Sequence, residues 1–206
     1  MKTRDIILIW LLKVLEAYKP QKAAFYDFEE RIIERKYCSK DIILCKQGDV
    51  TRKVYFLSSG TALTYTFTDQ GEKQLLNIFQ SNEIVVGESF TLQGPSEYFL
   101  MACANAYLLS VTHSEIKDIY RKFPEVEELS MMVISAKKSK EIKRIQMLNE
   151  FGIKLVRDFY KIYTELLEPG KVLRDADSAS YLLISEGTLR SLRNRLLHDG
   201  SLKIHH

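Results

Sequence analysis

The sequence predicts an α+β protein in which strands and helices are segregated along the chain, a β sandwich or barrel first and helices after it. Three observations carry that reading. Between about residues 36 and 112, short apolar runs alternate with turn signals at near-regular spacing. From about 125 to 149 there is neither Gly nor Pro, and apolar residues recur at helical intervals. From Asp175 to Leu196 two short helical patterns are parted by a tight turn.

The elements follow in order. The opening apolar run has the look of a secretion signal, but Asp5 precedes it, Lys13 ends it and no small-residue cleavage site follows. It is also far short of the ~20 apolar residues that span a bilayer. It reads as an amphipathic helix over residues 5–18, docked on the rest of the protein. The strand region then holds Ile42–Leu44, Val54–Leu57, Thr61–Phe67, Leu75–Phe79, Ile84–Val86, Tyr98–Ala102 and Tyr107–Val111. Gly48-Asp49, Ser58 to Gly60, Asp69 to Gly71 and Gly94-Pro95 separate them as turns. Thr61–Phe67 alternates in polarity as a strand with one wet face should, and Thr68 to Glu72 supplies its hairpin turn.

Beyond Thr112 a short helix from Ser114 stops before Pro124. The next, over 125–149, places Val126, Leu129, Val133, Ile134, Ile142, Ile145 and Leu148 at spacings of three, four and eight. At 1.5 Å per residue it is about 35 Å long, more than a small β domain covers alone. Its spare apolar stripe calls for a partner, and the simplest is a second copy of itself in parallel. A further helix over Lys154–Glu168 carries Leu155, Phe159, Ile162, Tyr163 and Leu166 on one side and ends at Pro169-Gly170.

In the C-terminal pattern Ala179 and Leu182 face inward from the first helix, Ile184 sits in the turn, and Leu189, Leu192 and Leu196 line the second, with Ser185 as its N-cap. That spacing is a helix-turn-helix. Arg190, Arg193, Asn194 and Arg195 then give the second helix a cationic exposed face suited to phosphates and guanine edges. The formal net charge is only +3, so any nucleic-acid binding has to come from such a local patch.

Other chemistries find little support. The sequence holds no nucleophile elbow, phosphate loop or metal-binding His pair, so neither catalytic residues nor a metal site are assigned and no cofactor is expected. The carboxylate pairs Glu29-Glu30 and Glu127-Glu128 read as solvated helix faces. Cys38, Cys45 and Cys103 match no zinc spacing and cannot supply a four-cysteine iron–sulfur site; they read as small buried side chains in a reducing, cytoplasmic setting.

The run from Ala179 to Arg193, A-S-Y-L-L-I-S-E-G-T-L-R-S-L-R, resembles the helix-turn-helix of the Crp/Fnr transcription regulators. Gln47-Gly48-Asp49, Tyr55 to Gly60, Asp69 to Gly71 and Gly87-Glu88 are similar to that family's β segment, in the same order and approximate spacing. The match covers nearly all the chain past residue 30. The resemblance implies a double-stranded β-helix, the β-roll of cyclic-nucleotide-binding domains, over residues 1–124 with its N-terminal helices. It further implies a dimerisation helix over 125–150 and, over 151–206, a winged-helix-like helix-turn-helix with a truncated wing. The implied function is sequence-specific DNA binding by a bacterial homodimer at a palindromic site, with RNA polymerase as a further partner and no membrane. Ser185, Glu186, Thr188, Arg190, Ser191, Arg193, Asn194 and Arg195 are the implied DNA-contacting residues.

Departures from the family pattern matter. Leu183 stands where the turn normally has glycine, and a positive φ there would cost leucine about 1–2 kcal/mol. Ser191 stands where the family often has an arginine facing the bases, and Gly200 to His206 offers one strand of a wing. His205 and His206 could be native or added. A sensor-like module that dimerises or binds a protein without reading DNA is therefore the alternative. Gly87, Glu88 and Ser89 resemble the opening of the family's cyclic-nucleotide cassette, yet no Lys or Arg occurs from Gln74 through Ile116 to pair with a phosphate. Cyclic AMP is therefore not expected as the effector. Phe90, Leu92, Tyr98 and Phe99 are available to line a pocket for an apolar or uncharged effector; the simpler reading is the core of a ligand-free scaffold. His113 reads as a local hydrogen-bonding residue.

Overall fold

The computed structural model describes residues 6–168 and 172–203. The elements are α1 (Ile6–Tyr18), α2 (Ala23–Ile32), β1 (Glu34–Cys38), β2 (Ile42–Cys45), β3 (Lys53–Ser59), β4 (Ala62–Phe67), β5 (Lys73–Phe79), β6 (Glu83–Val85), α3 (Glu88–Leu92), β7 (Phe99–Ala102), β8 (Ala106–Thr112), α4 (His113–Lys122), α5 (Val126–Leu148), α6 (Gly152–Ile162), α7 (Asp175–Leu182) and α8 (Glu186–His198). Asp5 and residues 204–206 lie outside the described residues. Among those described, no helix is long and apolar enough to cross a membrane.

The strands form two four-stranded sheets, β1-β8-β3-β6 and β2-β7-β4-β5. The β1–β8, β2–β7, β3–β6 and β3–β8 pairings are antiparallel, with Glu34 opposite Ser110 and Tyr55 opposite both Ser110 and Val85. Period-two alternation sorts β3: Tyr55 and Leu57 join one core with Cys38, Cys45, Leu100 and Leu108, whereas Phe56 joins another with Leu109 and Val111. The second core is closed by Leu11, Leu12 and Leu15 of α1, Phe25 of α2, Ile119 of α4, and Val126 and Leu129 of α5. All three cysteines are buried and unpaired by disulfides. Gly60 carries the β3–β4 turn at φ +88°, and a Cβ there would stand 2.7 Å from the Ala106 Cα, so a larger residue would push β8 away.

The chain divides into two compact units: residues 1–64 with 78–137, and residues 65–77 with 138–206. The β4–β5 hairpin thus goes with the C-terminal helices. There Lys73 Nζ pairs with Asp177 at 3.0 Å, and Leu75 donates its N–H to Ser180 Oγ at 3.1 Å. Arg144 donates to the Tyr181 carbonyl at 2.9 Å while its guanidinium lies 4.4 Å from the Tyr181 ring centre.

Side-chain capping is realised at the starts of α4 and α8. Thr112 caps α4 in a reciprocal box with Glu115, and Ser185 Oγ caps α8 by accepting the Thr188 N–H at 3.1 Å. The helix expected over Lys154–Glu168 ends earlier, at Ile162. Tyr163 leaves helical geometry, its hydroxyl lying 3.0 Å from that of Tyr181, and a short 3-10 turn over Thr164–Leu166 replaces the last helical turn. Of the wing, residues 200–203 form no strand; buried Leu202 donates its N–H to the Leu196 carbonyl.

Leu183 takes φ 57°, ψ 36° as the left-handed cap of α7. The Ile184 N–H reaches the Ala179 carbonyl and the Leu183 N–H the Ser180 carbonyl, which is the Schellman arrangement. The side chain is 64% exposed, so little packing offsets the backbone strain. Leu183→Gly is expected to stabilise the protein by about 1 kcal/mol, read as a raised urea midpoint with unchanged slope.

Candidate nucleic-acid interface

α6, α7 and α8 are built around an aromatic cluster. Phe159, Tyr160, Tyr163 and Tyr181 are buried, with Phe159 4.9 Å from Tyr160 and 5.1 Å from Tyr163 between ring centres. Leu182 of α7 and Leu189 and Leu196 of α8 are buried as well.

One ion cluster fixes α7 against α8. Asp175, in the first turn of α7, accepts from Arg193 Nη1 at 2.5 Å and Nη2 at 2.9 Å, a bidentate pair, and from Arg190 Nε at 2.9 Å. Arg193 also donates to the Tyr160 hydroxyl at 3.1 Å. Its side chain is 6% exposed and that of Asp175 9%. The Arg193 hydrogen bonds, against the opposing effect of burial, hold the Asp175 carboxyl below its ordinary range; the reciprocal bond raises the Arg193 guanidinium further still. At Asp177 burial acts upward, but Arg174 and Lys73 outweigh it and the carboxyl is again lowered.

The expected cationic face is therefore corrected at one position. Arg193 is buried in the fold of the motif and has no surface to offer DNA. Arg190 is 59% exposed but shared between Asp175 and Glu186. Ser185, Thr188, Ser191, Asn194 and Arg195 lie exposed, and Glu186 is half-buried. The hydroxyls of Ser185 and Thr188 stand 2.8 Å apart as part of the cap. Thr188, Ser191 and Arg195 fall at spacings of three and four along one side of α8, with Asn194 next to them. Sequence reasoning missed Asp175, Tyr160 and the hairpin residue Lys73, whose partners lie far off in the chain.

The expected effector residues do not converge. Ser89 is buried and structural, donating to the Gly94 carbonyl at 2.6 Å and accepting the Thr51 N–H at 2.9 Å. Leu92 is 78% exposed and Glu88 is exposed, while Phe99 is half-buried. The Tyr98 hydroxyl covers Gly87 so closely that a Cβ there would lie 2.7 Å from it. Phe90 lines a cavity on the helix-covered side of the β1-β8-β3-β6 sheet, and its ring meets His113 edge-on at 5.4 Å.

Residues 35–123 match the family model described as the cyclic nucleotide-binding domain. The chain is 27% identical over 125 residues to the anaerobic regulatory protein of Haemophilus influenzae, covering 60% of this chain and 48% of that one. The chain thus spans about half the length of that relative. It is 26% identical over 186 residues to the fumarate and nitrate reduction regulatory protein of Vibrio cholerae, covering 85% of this chain and 74% of that protein. A solved structure of a transcriptional regulator assigned to the Crp/Fnr family from Eubacterium rectale superimposes with a TM-score of 0.66 at 15% identity, over 92% of this chain and 91% of the other.

Proposed function

We propose that this chain is a DNA-binding transcription regulator of the Crp/Fnr type that acts as a cytoplasmic homodimer on a palindromic site. The observation that carries the DNA reading is the capped helix α8, which presents Thr188, Ser191, Asn194 and Arg195 together on one exposed side. The N-terminal part of such a helix lies against base edges while its flanking cations meet phosphates. Ser191 and Asn194 suit base edges by their donor and acceptor groups, and Arg195 suits a phosphate or guanine. Arg190 can exchange its carboxylate partners for a phosphate.

Dimerisation is assigned to α5. Met131, Ile134, Ile142 and Ile145 are exposed by 60, 37, 48 and 58%, at spacings of three, eight and three. A second α5 in parallel would cover this stripe and set two α8 helices for successive major grooves about 10 base pairs apart.

The cassette position supports no phosphate ligand. Tyr98 occupies the space over Gly87, and the absence of Lys and Arg from Gln74 through Ile116 leaves a cyclic phosphate without a cation. The effector, in this proposal, is not a cyclic nucleotide.

Selection from a random-sequence duplex library tests the function. Enrichment of an inverted repeat with half-sites one helical turn apart is expected; no enrichment would leave a dimerisation module in its place. On the selected site, Arg195→Ala should weaken binding to all sequences and lower the salt slope by about 1. Asn194→Ala should instead cost about 1–3 kcal/mol at a single base position and relax the preference there. Fluorescence anisotropy over a salt series, with single-base site variants, separates the two.

A further inference from the structure

Within the unit of residues 1–64 and 78–137, a cavity of about 330 Å³ lies on the side of the β1-β8-β3-β6 sheet that α1, α4 and α5 cover. Its size falls at the lower end of small-molecule sites, typically ~300–1,000 Å³. Phe56, Leu109, Ile119 and Leu129 are among its apolar walls. The hydroxyl of Tyr120 donates to Ser130 at 2.7 Å and Ser130 to the Val126 carbonyl at 3.2 Å, so that polar pair is already satisfied.

The charge of the lining is one-sided. Among the described residues that line it, none is Asp or Glu, while His113 and Lys117 stand one helical turn apart on α4. Neither side chain makes a hydrogen bond or ion pair among the described residues. The two acids of α4 are engaged elsewhere: Glu115 is held in the Thr112 cap, and Asp118 pairs with Arg121 at 2.7 Å. Lys117 is exposed at the mouth of the apolar space, where an ammonium can meet an anion whose body lies in a medium of lower dielectric than water.

We infer that this cavity binds a monocarboxylic acid with an apolar body, its carboxylate at Lys117 and His113 and its hydrocarbon among the walls. The site adjoins the cassette: Val86, Phe90 and Thr91 are among its lining residues, whereas Gly87, Glu88 and Ser89 are not. Its walls include Val126, Leu129, Val133 and Ile134 of α5, so an occupant would press on the helix assigned to dimerisation. Binding itself does not depend on the DNA reading.

Titration calorimetry of the full chain with decanoate and with 1-decanol tests this. Decanoate is expected to bind saturably at a single site per chain, about tenfold more tightly than decanol. Lys117→Met, at an exposed position, should weaken decanoate to the level of decanol and leave decanol unchanged. Val133→Phe should fill the cavity and remove both, with circular dichroism confirming the fold. Absent saturation by decanoate, or equal decanoate affinity in Lys117→Met, would overturn the inference; the Lys117 arm decides it even if Val133→Phe fails to fold.

Discussion

Asp175→Ala is expected to cost about 3–5 kcal/mol, because it leaves Arg193 buried with only the Tyr160 hydroxyl to face. Against a total stability of about 5–15 kcal/mol, that is enough to unfold much of the population of this unit near its thermal midpoint. Arg193→Ala should cost less. Its loss strands Asp175 only in part, since Arg190 still donates to the same carboxylate at 2.9 Å. Replacing both, as Asp175→Leu with Arg193→Met, should recover most of the loss, since a packed apolar pair needs no compensation for buried charge. Denaturant unfolding of the four proteins measures the order. A double replacement no better than Asp175→Ala alone would show that the pair does more than satisfy itself.

The same pair sets the acid limb. Asp175 titrates below its ordinary range in the folded state, so the unfolded chain binds the proton more readily. Its stabilisation is complete above the unfolded carboxylate value of about 3.9 and is lost as pH falls through the lower folded value. Asp177 adds a second contribution of the same sign. Unfolding free energy measured from about pH 6 down to 2 should therefore fall less steeply in Arg193→Ala than in the unaltered protein.

The second large effect concerns assembly. Ile142→Glu with Ile145→Glu places two carboxylates on the exposed stripe of α5, at positions 48 and 58% accessible in the single chain. Folding should survive, since neither side chain is in the core. Self-association should not, and sedimentation should report a monomer. A monomer engages one half-site at a time, so affinity for the selected repeat should drop by about a hundredfold or more. Retained affinity in a demonstrated monomer would remove α5 from the mechanism of binding.

Much of this was legible in the residues themselves. Short apolar runs between turn signals marked β2 to β8 but not the largely exposed β1, the Gly- and Pro-free run marked α5, and Leu183 at a glycine position raised a left-handed backbone there as a condition. A charge on α8 suggests an exposed position for Arg193. Yet it stands four residues after Leu189 and three before Leu196, which puts it on the same buried face, whereas Leu192 is half-buried. What no periodicity discloses is the partner, since Asp175 lies on another helix. Leu92 failed as a pocket residue for a different reason. The short helix α3 carries it to solvent, and the cavity forms instead where α1, α2, α4 and α5 meet one side of a sheet.

The hairpin over residues 65–77 belongs with the helical stretch from residue 138 onward. Neither half of the molecule is therefore a continuous stretch of polypeptide, and no single cut separates them with all their parts. A fragment starting at residue 138 would lack Lys73 and expose Asp177 with one cation fewer. Exchange of reading heads between relatives should accordingly succeed only when this loop travels with them.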